Sequence, residues 1–285
     1  MERARSSSPA LRQLLLVLAL LTCWPLVSEA VLVSPHAVFI DARSRTGQVF
    51  LINTGTTAEE CVIDLKFGYP DTDSSGNIFV HLFDSTTAEQ PSAASWIRAF
   101  PRRVVVQPGE RQVIRLLAQP PADLAQGEYW TRLIVTAKGA TMGVAGADSS
   151  VRAGINLIVS TIISVTYRNG QLQTGVGLNS YTAGVEGDSL VLHFGLERQG
   201  NAAYLGTGWV RVKDISGRVI HQWDTPMAVY YRINRRMAFP LDSVPPGQYT
   251  VDFDLTTERD DIPQTVVLPA NPIHQTSQVI AVRAR

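Results

Sequence analysis

Apolar residues in this chain fall in short runs separated by turn residues. Residues 37–40, 48–52, 61–67, 78–80, 104–106, 111–117 and 129–137 read as β-type segments. Asn53-Thr54-Gly55 and Gln107-Pro108-Gly109-Glu110 punctuate them. The longest run covers residues 155–167, and a break follows near Asn169-Gly170. Beyond it, residues 189–196, 207–213, 218–223, 227–233, 248–255 and 278–283 repeat the style, with Asp214-Ile215-Ser216-Gly217 as a hairpin turn. No window after residue 30 holds the apolar i, i+3, i+4, i+7 spacing of an amphipathic helix. The pattern predicts an all-β chain of two tandem β-sandwiches, over 31–168 and 171–285.

The long run carries the most information. Ile155, Leu157, Val159, Ile163, Val165 and Tyr167 alternate along one face. The other face carries Asn156, Ser160, Ser164 and Thr166, with Ile158 and Ile162 among them. The segment 138–154 before it is small, polar and Gly-rich. A strand with two partly apolar faces is either central in a sandwich or offers one face to a partner. In the second case its backbone supplies affinity and its alternate side chains specificity.

The first 30 residues read as a secretory signal. Arg3, Arg5 and Arg12 precede an apolar stretch over 14–23, and Ser28-Glu29-Ala30 places small residues before a cut after Ala30. The stretch is shorter than the roughly 18 residues of a spanning helix. Lipid attachment at Cys23 is a competing reading, but Thr22 is a poor residue before a lipidated cysteine. An exported chain starting at Val31 keeps Cys61 alone, expected as a buried structural thiol that forms no internal disulfide.

Charge and chemistry narrow the function further. Lys+Arg and Asp+Glu number 25 each, so the basic excess of a nucleic-acid binder is missing. The histidines, at 36, 81, 193, 221 and 274, lack metal-ligand spacing. No nucleophile elbow, phosphate loop or dinucleotide fingerprint occurs. The expectation is therefore a protein without catalytic residues, cofactor, metal or small-molecule substrate. Asp260-Asp261 reads as solvated surface. Asp71-x-Asp73-x-Ser75-Gly76 matches the first half of a calcium loop, but its twelfth position is Leu82. A hairpin turn is the preferred reading.

Several ordered segments resemble the periplasmic pilus-assembly chaperones, the PapD-like family. Ser34-Pro35-His36-Ala37-Val38-Phe39 resembles their opening strand. Val49-Phe50-Leu51-Ile52-Asn53-Thr54-Gly55 resembles their strand ending in Asn. Residues 100–110, with Phe100-Pro101-Arg102-Arg103 and Gln107-Pro108-Gly109-Glu110, then Val113-Ile114-Arg115-Leu116, resemble the proline segment, Pro-Gly turn and Val-Arg strand. Leu124-Ala125-Gln126-Gly127-Glu128-Tyr129 stands where the family has Leu-Pro and an acidic turn, and the long strand ends in Tyr167-Arg168. Pro245-Pro246-Gly247-Gln248-Tyr249 resembles the turn that closes many immunoglobulin-like domains.

The resemblance implies two immunoglobulin-like domains with a cleft between them, in a periplasmic chaperone. Such a protein would complete pilin-like subunits by donor-strand complementation and hand them to an outer-membrane usher. The donor residues would be Ile155, Leu157 and Val159. Glu128 and Arg168 would belong to an interdomain ionic network, whose third member, an Asp of the second domain, has no clear counterpart. The family grips its subunit's terminal carboxylate with an Arg and a Lys. Here those positions are His36 and Ser164, neither a permanent cation. The alternative is an exported structural or adhesive protein with the same architecture.

Overall fold

In a computed structural model, the structure describes residues 31–139, 158–241, 247–277 and 280–282. The first half contains β1 (Val31–Ser34), β2 (Ala37–Asp41), β3 (Thr46–Asn53), β4 (Glu59–Lys66), β5 (Gly68–Thr72), β6 (Ile78–Leu82), β7 (Ile97–Phe100), β8 (Arg103–Val106), β9 (Arg111–Ala118), β10 (Gly127–Gly139) and β11 (Ile158–Asn169). The second half contains β12 (Thr174–Glu186), β13 (Ser189–Gly200), β14 (Tyr204–Lys213), β15 (Val219–Val229), β16 (Arg232–Pro240), β17 (Gly247–Thr256), β18 (Ile273–Thr276) and β19 (Ile280–Val282).

In the first half, a sheet ordered β1-β3-β9-β7 faces one ordered β2-β11-β10-β4-β8. Alternate residues of both point inward, so Ile40, Leu51, Ile63, Ile114, Leu133 and Val165 share one core. Cys61 lies in it, fully buried. Burying each large aliphatic side chain contributes about 1.5–3 kcal/mol. In the second half, β12-β13-β16 packs with β15-β14-β17-β18, and β19 pairs with β17 beyond β18. Leu192, Phe194, Val210, Phe253 and Leu255 form its core. The chain is all-β, as its pattern predicts.

The structure corrects one segment and adds others. The run 227–233 is not one strand: the chain reverses at Tyr230 and Tyr231, between β15 and β16. Both rings join an aromatic cluster with Phe67, Tyr69, Phe83 and Trp130 from the first half. That long-range packing overrides the β preference of the segment. Strands β12, β16 and β18 were not expected, because they carry many Gly, Arg or polar positions.

The segment with calcium-loop spacing is the β5–β6 hairpin. Asp73 Oδ1 accepts the N–H groups of Ser75 and Asn77 at 2.9 and 2.8 Å, so the carboxylate is committed to the turn. The hairpin reaches across to β16. Arg236 N–H donates to Gly76 O at 3.1 Å, and Asn234 N–H donates to Thr72 Oγ1 at 3.0 Å.

Candidate functional site: a free strand edge beside the joint between the sandwiches

β11 pairs along its described length with β10, from Ile158 opposite Lys138 to Asn169 opposite Gly127. On its other side it pairs with β2, but only from Ser164 to Arg168. Among the described residues, positions 158–163 therefore have one strand neighbour and one open edge. An antiparallel strand with a single partner leaves alternate N–H and C=O groups free, a ready template for another strand.

The side chains along this edge are unusually apolar for solvent. Ile158 is 57% exposed, Val159 38% and Ile162 39%. Ile163, Val165 and Tyr167 continue the face of Val159 into the core. Val159 is thus the outermost described member of a row whose inner members are committed to this sandwich. Ile158 and Ile162 project to the opposite face beside Ser160, whose hydroxyl meets that of Thr136 at 3.2 Å. The expected donor residues Ile155 and Leu157 lie outside the described residues.

The edge closes at His36 and Ser164. Ser164 N–H donates to the His36 carbonyl at 3.1 Å, the bond that begins the β2–β11 pairing. The two sequence-selected cleft residues are therefore adjacent, through backbone rather than side chains. The Ser164 hydroxyl meets Tyr230 Oη of the second sandwich at 3.1 Å. The His36 side chain is exposed, and its charge acts on the Asp261 carboxyl. Arg259 is the main cause of that carboxyl's depressed pKa, through a hydrogen bond and charge, and His36 adds to it against the opposing effect of burial. Neither Tyr230 nor Asp261 carries a sequence signal that would place it here.

Glu128 and Arg168 also meet, opposite each other on β10 and β11. Arg168 Nε donates to Glu128 Oε1 at 2.9 Å, and Nη2 lies at 2.9 Å from the same oxygen. Glu128 Oε2 accepts the Ala203 N–H at 2.9 Å and Trp130 Nε1–H at 3.3 Å. Arg168 Nη1 donates to the Val266 carbonyl at 2.6 Å, and its guanidinium lies over Phe39. The second sandwich thus contributes backbone groups, not a carboxylate side chain, to this contact. Backbone groups leave no residue-type signature in the sequence. Glu128 is almost fully buried, and Arg168 is partly buried, with 15% of its side chain exposed.

Beside this joint, Arg132 is buried on β10. Its Nε donates to Gly68 O at 3.0 Å, its guanidinium lies 5.0 Å from the Tyr230 ring centre, and Nη2 has no partner among the described residues. No helix among the described residues is long and apolar enough to cross a membrane.

No family model and no curated protein matches the chain. Solved structures do align with it. The E. coli chaperone DraB aligns at 11% identity over 90% of this chain and 97% of its own, with a TM-score of 0.41. A structure of the Salmonella enterica SafA pilin with the SafB chaperone aligns at 9% identity over 87% and 97%, with a TM-score of 0.42. A chaperone–tip adhesion subunit complex from the Csu pili of Acinetobacter baumannii aligns at 16% identity over 72% and 89%, with a TM-score of 0.38.

Proposed function

We propose that the protein is a periplasmic chaperone that binds pilin-like subunits by donor-strand complementation. In this reading residues 1–30 are a signal removed after Ala30, 31–168 form the strand-lending domain, and 171–285 form the second domain. The observation that carries it is the open edge at 158–163, lined by exposed Ile158, Val159 and Ile162. A subunit lacking its last strand would pair with that edge and receive Val159, together with Leu157 and Ile155, in its own groove. Backbone bonds would hold any such subunit, and the side-chain row would select among them.

The chemistry at the end of the edge sets the balance of forces. Ser164 supplies a hydroxyl already shared with Tyr230, and neither Ser164 nor His36 is a permanent cation. A terminal carboxylate arriving there would find no fixed positive charge on these two residues. Most of the affinity therefore comes from the strand. No enzymatic step is part of this reading.

The test is co-expression with a subunit truncated of its last strand, followed by recovery of the complex. Leu157→Glu and Val159→Glu each force an unpaired charge into an apolar groove, which costs several kcal/mol. Complex recovery should fall at least tenfold for both, while free Val159→Glu should melt within about 2 °C of the unaltered protein, because Val159 is partly exposed when unbound. His36→Ala should weaken the complex by only about 1 kcal/mol, the scale of one hydrogen bond. Unchanged recovery with a large loss of melting temperature would make 155–159 a core segment and defeat the proposal.

A further inference from the structure

The outer face of β1-β3-β9-β7 departs from the rule that a solvated sheet face is polar. On β7 and β9 the outward positions alternate between arginine and apolar residues, while β1 and β3 add Leu32, Phe50 and Ile52 beside the polar Ser34, Thr46 and Gln48, and no carboxylate stands in the registered pairs. Arg115 stands opposite Phe100, and Arg98 opposite Leu117. Arg111 lies over the Phe50 ring, 3.9 Å from its centre. Phe100 is 75% exposed, Leu32 54% and Leu117 46%.

Six other arginines (Arg103, Arg168, Arg211, Arg218, Arg236 and Arg259) pair with carboxylates. Among the described residues, Arg98, Arg111 and Arg115 do not, as is also true of Arg43, Arg45, Arg102, Arg232 and Arg235, but these three share one sheet face. The molecule as a whole is neutral, so this face is a local concentration of unneutralised positive charge. Anything that covers it must be negatively charged and must also accept apolar side chains between the charges.

We propose that this face docks on an anionic lipid bilayer. Guanidinium groups bind phosphate oxygens in pairs, which suits Arg better than Lys. The exposed Phe and Leu side chains between them can sink below the headgroup level. The face is an open sheet surface, and its charges sit on two neighbouring strands, Arg98 on β7 and Arg111 and Arg115 on β9. A layer of lipid phosphates needs only such a spread of cations, with no fixed register. The attraction would be weak, reversible and screened by salt, with each arginine contributing about fivefold to partitioning. The free edge of β11 belongs to the opposite sheet, so docking would leave it open.

The protein is expressed from Met1, purified as the host processes it, and sedimented with vesicles. One set is pure phosphatidylcholine, and the other contains about one third phosphatidylglycerol. The expected result is preferential binding to the anionic vesicles that disappears at about 0.5 M salt. The Arg98→Glu/Arg115→Glu pair should lower that binding at least about 25-fold. Phe100→Ser should lower it without changing its salt dependence, and Arg218→Glu, in the distant hairpin turn, should leave it unchanged. Circular dichroism melting of each variant separates misfolding from lost contact. Equal binding to both vesicle types, no binding to the anionic set, or binding indifferent to the arginine changes in folded protein would each overturn the proposal. So would a face whose arginines matter only for retaining an acidic protein.

Discussion

Glu128 accepts hydrogen bonds from a guanidinium, an indole and a backbone amide of the other sandwich, all within 3.3 Å. Removing either member of such a buried pair leaves the other charged and unsolvated, which costs about 3–5 kcal/mol. Arg168→Ala should therefore lower the urea midpoint strongly, whereas removal of the exposed Lys66–Asp84 pair should change it by less than about 1 kcal/mol. Comparable midpoints for the two variants would show that the joint is not held by charge. Cys61 illustrates the opposite case of an inert buried group. Burial pushes its thiol pKa up to about 11, with Glu59 and Glu60 adding to the effect. The thiolate is the reactive form, so at pH 8 the folded protein should not react with Ellman's reagent at this site. The raised value also means that folding loses stability as pH climbs above 9.0, the thiol's ordinary value. After unfolding, a chain starting at Val31 should titrate one thiol, and a chain retaining Cys23 two.

At the scale of elements, the β5–β6 hairpin is the part whose role depends most on backbone detail. Gly76 has φ +81°, and a Cβ there would come within 2.5 Å of Arg236 N. Gly76→Ala thus meets both a left-handed backbone cost of about 1–2 kcal/mol and the backbone of β16. The melting temperature should fall by several degrees, and amide exchange should rise at Asn234 and Arg236, whose N–H groups bond to the hairpin. A neutral substitution would mean that the hairpin does not hold β16. Sequence alternation exposed β10, β11, β13 and β17 because their inward residues are large and apolar. It did not expose β12, where Gly175, Gly177, Gly184 and Ser180 break the signal, or the reversal at Tyr230 and Tyr231. The family resemblance, not alternation, drew attention to His36, Ser164, Glu128 and Arg168, and it did not point to their partners. Tyr230, Ala203 and Val266 act through a ring or backbone groups set by distant parts of the chain. The open edge itself was not legible either, since it exists only because β2 stops pairing at Ser164.

For the whole molecule, the question is whether the two sandwiches behave as one body. Tandem domains joined by small polar contacts usually move independently. Here Trp130 is buried at the joint, with its ring 4.7 Å from Tyr230 and 5.5 Å from Tyr231, in edge-on geometry. The cluster extends through Tyr69 to Phe67 and Phe83, so it includes the base of the hairpin as well as β10. Aromatic pairs of this geometry contribute about 0.5–1.5 kcal/mol each beyond burial. Together with the Glu128–Arg168 contacts, they oppose separation of the halves before either unfolds. Calorimetry should accordingly show one heat-absorption peak. Trp130→Ala costs about 3–5 kcal/mol, but that loss falls on the joint rather than on either sandwich core. It should split the peak in two, with the cores of Leu133 and Phe253 melting separately. Two peaks in the unaltered protein would show that the sandwiches are uncoupled. A single lowered peak in Trp130→Ala would move the coupling from the aromatic cluster to the ion pair and the hairpin.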